Sequence, residues 1–206
     1  MEASAVILAG GQGRRMGGRN KALLTFGAVP FIERQIREAS GWTDDIIVVV
    51  AEDGDFAEDL RRRGDVAVVI DRFAGEGPLA GLQAGFAAAR HPLVWLLACD
   101  QPWADARAAS LLCERMREEG VFAVLPIIGG RPQPLHAVYR KEVHVVAEEL
   151  LQQGERRMTA LLDRMSWTGI PEERFRDAGV PDRFADDIDT PEAYERLRRV
   201  EDSEIR

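Results

Sequence analysis

Short apolar segments recur through the first 125 residues, and each is followed by a longer segment of mixed polarity. A continuously apolar run is typical of a strand buried on both faces, and the mixed segment after it is typical of a covering helix. The pattern predicts strands over residues 5–8, 45–50, 66–70, 93–98 and 121–125 and helices over residues 30–39, 55–63, 78–90 and 104–119. Such alternation predicts an α/β fold, a Rossmann-like three-layer sandwich with a mostly parallel central sheet and helices on both faces.

The remaining residues are less regular, and they predict fewer elements. Residues 135–139 could form another strand, and residues 142–152, 156–165 and 191–200 have helical patterns. Residues 166–188 contain two prolines and two glycines, which favour loops. Because no linker or repeat interrupts the chain, we expect one domain over residues 1–206.

Composition and charge exclude several classes of protein. With 46% hydrophobic residues and a net charge of −8, the chain can bury a core, and it lacks the overall positive charge that drives nucleic-acid binding. No apolar stretch is long enough for a membrane span, and no basic segment of a secretory signal precedes the first strand. Cys99 and Cys113 have neither metal-site nor disulfide spacing, so we expect reduced thiols in a cytoplasmic protein.

Three predicted strands end at residues typical of functional sites. The first strand leads into Gly10 and Gly11, the third stops at Asp71, and the fourth runs into Asp100. Ligands of open α/β sheets bind at the carboxyl ends of the strands, which parallel strands place at one edge. The convergence predicts a site at that edge of the sheet.

The loop after the first strand is rich in glycine and positive charge. Glycine lets backbone N–H groups approach phosphates, and the loop also carries Arg14, Arg15 and Lys21. It matches neither the P-loop nor the dinucleotide-binding pattern. A tight connection is the ordinary alternative, but the added cations favour phosphate binding.

Six ordered motifs resemble those of the nucleotidyltransferases related to molybdenum cofactor guanylyltransferase, the molybdopterin-guanine dinucleotide biosynthesis protein A family. The similarity extends over almost the whole chain. The motifs are Leu8-Ala9-Gly10-Gly11-x-x-Arg14-Arg15-Met16-Gly17-x-x-x-Lys21, Gly77-Pro78-Leu79-Ala80-Gly81-Leu82, Cys99-Asp100-Gln101-Pro102, Pro134-Leu135-His136-Ala137-Val138-Tyr139, Gly154-Glu155-Arg156-Arg157 and Asp187-Ile188-Asp189-Thr190-Pro191-Glu192.

The resemblance implies an enzyme that transfers GMP from GTP to the terminal phosphate of molybdopterin and releases pyrophosphate, with Mg²⁺ as cofactor. Residues 1–125 would then form the nucleotide-binding half, and residues 126–200 the substrate-binding and closing elements. Chaperones of molybdoenzymes would be candidate partners. A cytidylyltransferase acting on molybdopterin or another small phosphate is the alternative, and a non-catalytic nucleotide-binding regulator is a further one.

The resemblance also assigns roles to individual residues. Arg15, Lys21 and Asp100 would be catalytic, and Asp100 with Asp189 would hold the metal, since Mg²⁺ prefers carboxylate oxygen. The nucleotide would be bound by Leu8, Ala9, Gly10, Gly11, Lys21, Asp71, Gly77, Pro78 and Asp100. Molybdopterin would be bound by Pro134, Leu135, His136, Arg156 and Arg157.

Most of these residue types also have ordinary structural roles. Asp100 and Asp189 could cap helices, Asp71 could begin a turn, and His136 could be a packed strand residue. Arg156 and Arg157 could be exposed charges at the start of a helix. The chain also lacks the Asn that often follows the second strand in the family, which leaves the choice between guanine and cytosine open.

Overall fold

The polypeptide forms a central sheet flanked by helices. The computed structural model describes residues 2–11, 20–73 and 75–204. The strands are β1 (Ala3–Leu8), β2 (Thr25–Phe26), β3 (Val29–Pro30), β4 (Ile46–Val50), β5 (Ala67–Ile70), β6 (Leu93–Ala98), β7 (Ala123–Ile128), β8 (Arg131–Pro132), β9 (His136–Arg140) and β10 (Trp167–Pro171). The α-helices are α1 (Phe31–Ser40), α2 (Asp55–Arg63), α3 (Pro78–Ala88), α4 (Ala106–Glu119), α5 (Val143–Gln152), α6 (Met158–Leu162), α7 (Glu172–Asp177) and α8 (Pro191–Glu204). In the described ranges, two 3₁₀ helices cover Lys21–Leu23 and Asp182–Ala185.

The main sheet has the order β10-β7-β9-β6-β1-β4-β5, and β8 pairs with β7. β9 runs antiparallel to both of its neighbours, whereas β1 is parallel to β4 and β6, β4 to β5, and β7 to β10. β2 and β3 form a separate antiparallel hairpin. The expected fold class, a mostly parallel sheet with helices, is confirmed.

Two large core clusters lie on the two faces of the sheet, and a third, small one contains Leu24, Phe31, Ile188 and Leu197. Ala5 and Ile7 of β1 belong to the cluster that includes residues of α1, α2 and α4. Val6 and Leu8, which alternate with them, belong to the cluster that includes residues of α3, α5 and α6. This alternation follows from the two-residue period of a strand, and it explains why residues 5–8 of β1 are all apolar.

The close approach of α3 to the sheet depends on a glycine. A Cβ added at Gly85 would lie 2.4 Å from Cγ1 of Val6 and 2.9 Å from Cγ2 of Val49. Pro78 lies in the first turn of α3, where backbone N–H groups have no partner within the helix, so the N–H that proline lacks breaks no helical hydrogen bond. These features place the N-terminus of α3 beside the carboxyl ends of β1 and β4.

Residues 166–188 were expected to be mostly loop, and this expectation was wrong, because they contain β10 and α7. Gly169 does not mark a turn: it pairs with Leu125 in the parallel ladder, and a Cβ there would lie 2.5 Å from Cγ1 of Ile127. The helix expected over residues 156–165 is limited to α6, which starts only at Met158 because the backbone of Arg157 is extended. The Glu155 carboxylate accepts the backbone N–H groups of Arg156 and Arg157 before that start. No helix in the described ranges combines the length and apolarity needed to cross a membrane.

Candidate active site

The carboxyl ends of β1, β5 and β6 lie at the same edge of the sheet. The backbone N–H of Cys99 donates to the carbonyl of Leu8 at 3.0 Å, and the N–H of Asp71 donates to the carbonyl of Val50 at 2.8 Å. The loops that follow the strands therefore start side by side, as expected for parallel strands.

A cleft of about 500 Å³ opens at this edge. Its volume is that of a typical small-molecule site, in which apolar walls are combined with a few polar groups. It is lined by Leu8, Gly10, Gly11, Lys21, Val49, Asp71, Gly75, Gly77, Pro78, Gly81, Ala98, Cys99, Asp100, Leu135 and Asp189.

The first loop enters the cleft along the backbone that follows β4. A Cβ added at Gly10 would lie 3.1 Å from the backbone nitrogen of Ala51, whereas a Cβ at Gly11 would meet nothing within 4 Å. Gly10 is thus required for close approach to a rigid neighbour, and Gly11 leaves room on the open side. The sequence places glycine at both positions, but only packing separates their roles.

Lys21 joins two carboxylates at the polar end of the cleft. Its Nζ donates to Oδ2 of Asp100 at 2.8 Å and also contacts Oδ1 of Asp189. The Lys21 side chain is 13% exposed, that of Asp100 18% and that of Asp189 39%. One cation is therefore shared by two carboxylates from distant parts of the chain.

Burial and charge act in opposite directions on these groups. Burial lowers the pKa of Lys21, but the hydrogen bonds and charges of Asp100 and Asp189 outweigh it, so the pKa lies above its ordinary value. Burial raises the pKa of Asp100, and Lys21 opposes that shift. The pKa of Asp187 is also raised, first by burial and then by repulsion from Asp189 and Asp100. The three carboxylates form a negative centre that favours a cation.

Buried hydrogen bonds hold the two metal-candidate carboxylates in place. The side-chain Nε2 of Gln35 donates to the carbonyls of Ala98 at 2.6 Å and Gln101 at 3.0 Å, which fixes the turn that carries Asp100. The N–H of Ile188 donates to the carbonyl of Asp100 at 2.9 Å. The segment ending in Asp189 is therefore tied directly to the end of β6.

The donor set suits a hard divalent cation. In the described part of the chain no group of three or more His, Cys, Asp or Glu side chains could hold a metal ion. Asp100 and Asp189 nevertheless reach one shared cation, the Lys21 ammonium, with carboxylate oxygens. Mg²⁺ characteristically uses one or two carboxylates and completes its coordination with substrate phosphates and water. The two residues fit that ion.

The cleft brings together most of the residues assigned to the nucleotide and the metal. Arg14 and Arg15 lie outside the described residues, so the structure places neither. The assigned residues that line the cleft are Leu8, Gly10, Gly11, Lys21, Asp71, Gly77, Pro78, Asp100, Leu135 and Asp189.

Five assigned residues of the described ranges do not line the cleft, and each has another role. Ala9 is buried in the core cluster on the α1 side, and the carbonyl of Pro134 accepts the Tyr139 hydroxyl at 2.7 Å. Arg156 pairs with Glu76, and its carbonyl lies close to Gly77, so it borders the second loop. Arg157 pairs with Glu155 at the surface.

His136 is a core residue, which corrects its assignment to the substrate. Its side chain is fully buried and packs edge-on against Trp95 and Phe184, with ring centroids 5.6 and 4.9 Å away. Burial lowers its pKa to about 3, so the ring is neutral at physiological pH. Because β9 is buried on both faces, the histidine points into the core and cannot touch a ligand in the cleft.

Several cleft residues were missed by the sequence reasoning. Val49 and Ala98 belong to none of the six motifs, and only the strand ends pointed to them. Cys99 begins the motif that contains Asp100, but it was assigned no role. Gly81 had a signal in the second glycine-containing motif. A Cβ at this position would lie 3.0 Å from Cδ2 of Leu8, so the glycine leaves room for that side chain on the cleft wall.

Comparisons with known proteins identify the family of this chain. Residues 5–166 match the family model described as MobA-like NTP transferase domain. A molybdenum cofactor guanylyltransferase from Pseudomonas putida is 33% identical over 193 residues, which is 89% of this chain and 96% of the relative.

Two solved structures share the fold. The crystal structure of molybdopterin-guanine dinucleotide biosynthesis protein A from Archaeoglobus fulgidus has a TM-score of 0.83 at 24% identity, over 97% of this chain and 99% of that one. The 2-C-methyl-D-erythritol 4-phosphate cytidylyltransferase from Thermus thermophilus has a TM-score of 0.70 at 14% identity, over 98% and 100% of the two chains. With the family match over most of its length, this chain belongs to the MobA-like NTP transferase family.

Proposed function

We propose that this protein transfers GMP from GTP to the terminal phosphate of molybdopterin, forming molybdopterin guanine dinucleotide and pyrophosphate. The observation that carries the proposal is the cleft in which Lys21, Asp100 and Asp189 meet two glycine-containing loops. The relatives named molybdenum cofactor guanylyltransferase support the choice of GTP and of the acceptor.

The reaction requires positioning rather than a protein nucleophile. An oxygen of the acceptor phosphate forms a bond to the α-phosphorus of GTP, and the bond from that phosphorus to the bridging oxygen breaks as pyrophosphate leaves. Because the attacking phosphate is already anionic, no general base is needed. Alignment and neutralisation of the developing charge supply the rate enhancement in reactions of this type.

The described residues can provide both the alignment of the substrates and the neutralisation of charge. The glycines at positions 10, 11 and 77 let the backbone close on the nucleotide, while Asp71 and Pro78 border the same space. Lys21 would leave its two carboxylates and hold the phosphates of the nucleotide as a point charge. Arg15 keeps the phosphate-binding role that the resemblance implies.

Asp100 and Asp189 would hold Mg²⁺ on this proposal. When bound, the ion would neutralise charge on the phosphates of the nucleotide. Removing it with a chelator should stop pyrophosphate release, and adding Mg²⁺ back should restore it. Activity that persists in excess chelator would refute the metal dependence.

The enzyme would act in the cytoplasm and deliver its product to chaperones of molybdoenzymes.

A nucleotide-selectivity assay tests the proposed reaction. Purified protein is incubated with molybdopterin, Mg²⁺ and either GTP or CTP, while pyrophosphate release and the mass of the product are measured. We expect GTP to be used in preference to CTP and the guanine dinucleotide to accumulate. A preference for CTP would instead identify a cytidylyltransferase, and no product with either nucleotide would refute the transfer reaction.

A further inference from the structure

A second cavity, of about 670 Å³, lies next to the cleft and contains none of the residues assigned to the nucleotide or the metal. Four of its lining residues, Trp103, Arg131, Arg183 and Arg196, come from separate parts of the chain, and we call the cavity the arginine pocket. Arg131 belongs to β8, Arg183 to the second 3₁₀ helix and Arg196 to α8. The pocket therefore exists only in the folded protein.

The arginines of the pocket form no ion pair with a described residue, although the charge of Arg183 acts on Asp186 and opposes the rise of its pKa that burial causes. Across residues 2–11, 20–73 and 75–204, no carboxylate lies within ion-pair distance of Arg131, Arg183 or Arg196. Asp186 and Asp187 also line the cavity, so three formal positive charges face two negative ones. An excess of positive charge at a concave surface is notable in a chain whose net charge is −8, and it favours an anionic ligand.

Trp103 gives the pocket an aromatic wall. The guanidinium of Arg183 lies 5.1 Å from its ring centroid, and Phe26 contacts it edge-on at 6.1 Å between centroids. The indole Nε1 is buried and has no hydrogen-bond partner among the described residues. Arginine and tryptophan together bind flat groups by stacking and by hydrogen bonding.

One segment of backbone, residues 187–189, borders both the arginine pocket and the cleft. Ile188 lines the pocket, and its N–H donates to the carbonyl of Asp100 at 2.9 Å. Asp187 lines the pocket as well, two residues before the metal candidate Asp189. The arginine pocket and the metal candidate Asp189 therefore border the same short segment of backbone.

We propose that the arginine pocket binds the part of the acceptor remote from its reacting phosphate, a planar heterocycle that carries negatively charged groups. This inference rests on the proposed function, because it places the acceptor and not the nucleotide. His136 is buried, and Arg156 and Arg157 are paired with carboxylates, so these residues are poorly suited to bind the acceptor. The inference assigns acceptor binding instead to Arg131, Arg183, Arg196 and Trp103.

The test separates binding of the acceptor from binding of the nucleotide. The double variant Arg131→Gln/Arg196→Gln removes two exposed charges from the pocket. Arg198→Gln is the matched control, since Arg198 lies on the same helix, about 200° around its axis from Arg196, and pairs with Glu195. Steady-state rates of pyrophosphate release are measured with molybdopterin varied at saturating GTP, and with GTP varied at saturating molybdopterin.

We expect the KM for molybdopterin to rise at least tenfold in the double variant, while the KM for GTP changes less than twofold. The control should match the wild type in both constants, and all variants should keep the wild-type melting temperature. An unchanged KM for molybdopterin in the double variant would overturn the inference and leave the transfer reaction intact.

Failure of the proposed function has a different signature: the wild type itself forms no dinucleotide. In that case calorimetric titration with molybdopterin decides the inference separately. Binding to the wild type that is weakened in the double variant would support the arginine pocket. Absence of binding, or equal binding to both proteins, would overturn it.

Discussion

Replacing Lys21 by Met removes the cation that two carboxylates share in the cleft. The variant keeps the apolar stem but leaves Asp100 and Asp189 facing each other without the ammonium. Two charge-assisted hydrogen bonds disappear, and one such bond contributes about 1.5–3 kcal/mol. Because the Asp189 side chain is 39% exposed, water compensates in part, and we expect a net loss of about 2–3 kcal/mol. For a chain of this size that corresponds to a melting temperature lower by about 4–12 °C.

The loss of stability should depend on pH in a defined direction. Burial already raises the pKa of Asp100 above its ordinary value, and Lys21 opposes the shift. Without Lys21 the pKa of Asp100 rises further, so the folded variant binds a proton more readily than the unfolded chain. Its stability therefore increases as the pH falls below 7 through the raised pKa of Asp100, and the difference from the wild type narrows.

The same variant should lose activity even where it is folded. Loss of a charged group that stabilises a transferring phosphate commonly costs about 10²–10³-fold in rate. Lys141→Met is the control, since Lys141 is the other lysine of the chain and donates to the carbonyl of Ala89 instead. Thermal unfolding between pH 5 and 7 and pyrophosphate release measure the two effects. A stability loss that is constant with pH, or activity equal to that of the control, would refute the reasoning.

Three further predictions concern the walls of the cleft and the core. Gly10→Ala should destabilise the fold by about 1–3 kcal/mol, because the added methyl group overpacks against Ala51, and it should lower kcat/KM for GTP. Gly11→Ala should unfold in urea like the wild type, because a Cβ there meets nothing within 4 Å. Equal loss of stability in the two variants would contradict the packing argument. His136→Phe should leave kcat unchanged and make the free energy of unfolding less dependent on pH. The pKa of His136 in the folded protein is about 3, so the wild type loses about 1.4 kcal/mol of stability per pH unit as the pH falls from about 6.5 towards 3. A loss of kcat in the variant at pH 7 would show that His136 is catalytic after all. Cys99→Ala should keep kcat within about threefold, because burial raises the pKa of the thiol and disfavours the nucleophilic thiolate; abolished turnover with intact folding would contradict this.

The sequence was sufficient to predict the parts of the fold where local pattern and tertiary packing agree. β1, β4, β5, β6 and β7 each contain an apolar run, which is largely buried in all of them except β5. They were therefore predicted with ends shifted by only a few residues. The cleft residues at the strand ends followed from the same pattern, because parallel strands bring their carboxyl ends together.

The missed features depend on contacts between distant residues. β10 contains Gly169 and ends at Pro171, which locally favour a loop, yet parallel pairing with β7 overrides that preference. His136 belongs to a motif, but the burial of β9 on both faces turns it into the core. The arginine pocket joins four separate elements, so no local pattern could reveal it.

Crystallography of the protein with Mn²⁺ and a non-hydrolysable GTP analogue tests the central claim most directly, because Mn²⁺ is located by its anomalous scattering. The account predicts the nucleotide in the cleft, with one metal peak bound by Asp100 and Asp189 and with Lys21 moved from the carboxylates to the phosphates. A nucleotide bound elsewhere, or a metal peak away from both carboxylates while Lys21 still bridges them, would contradict it.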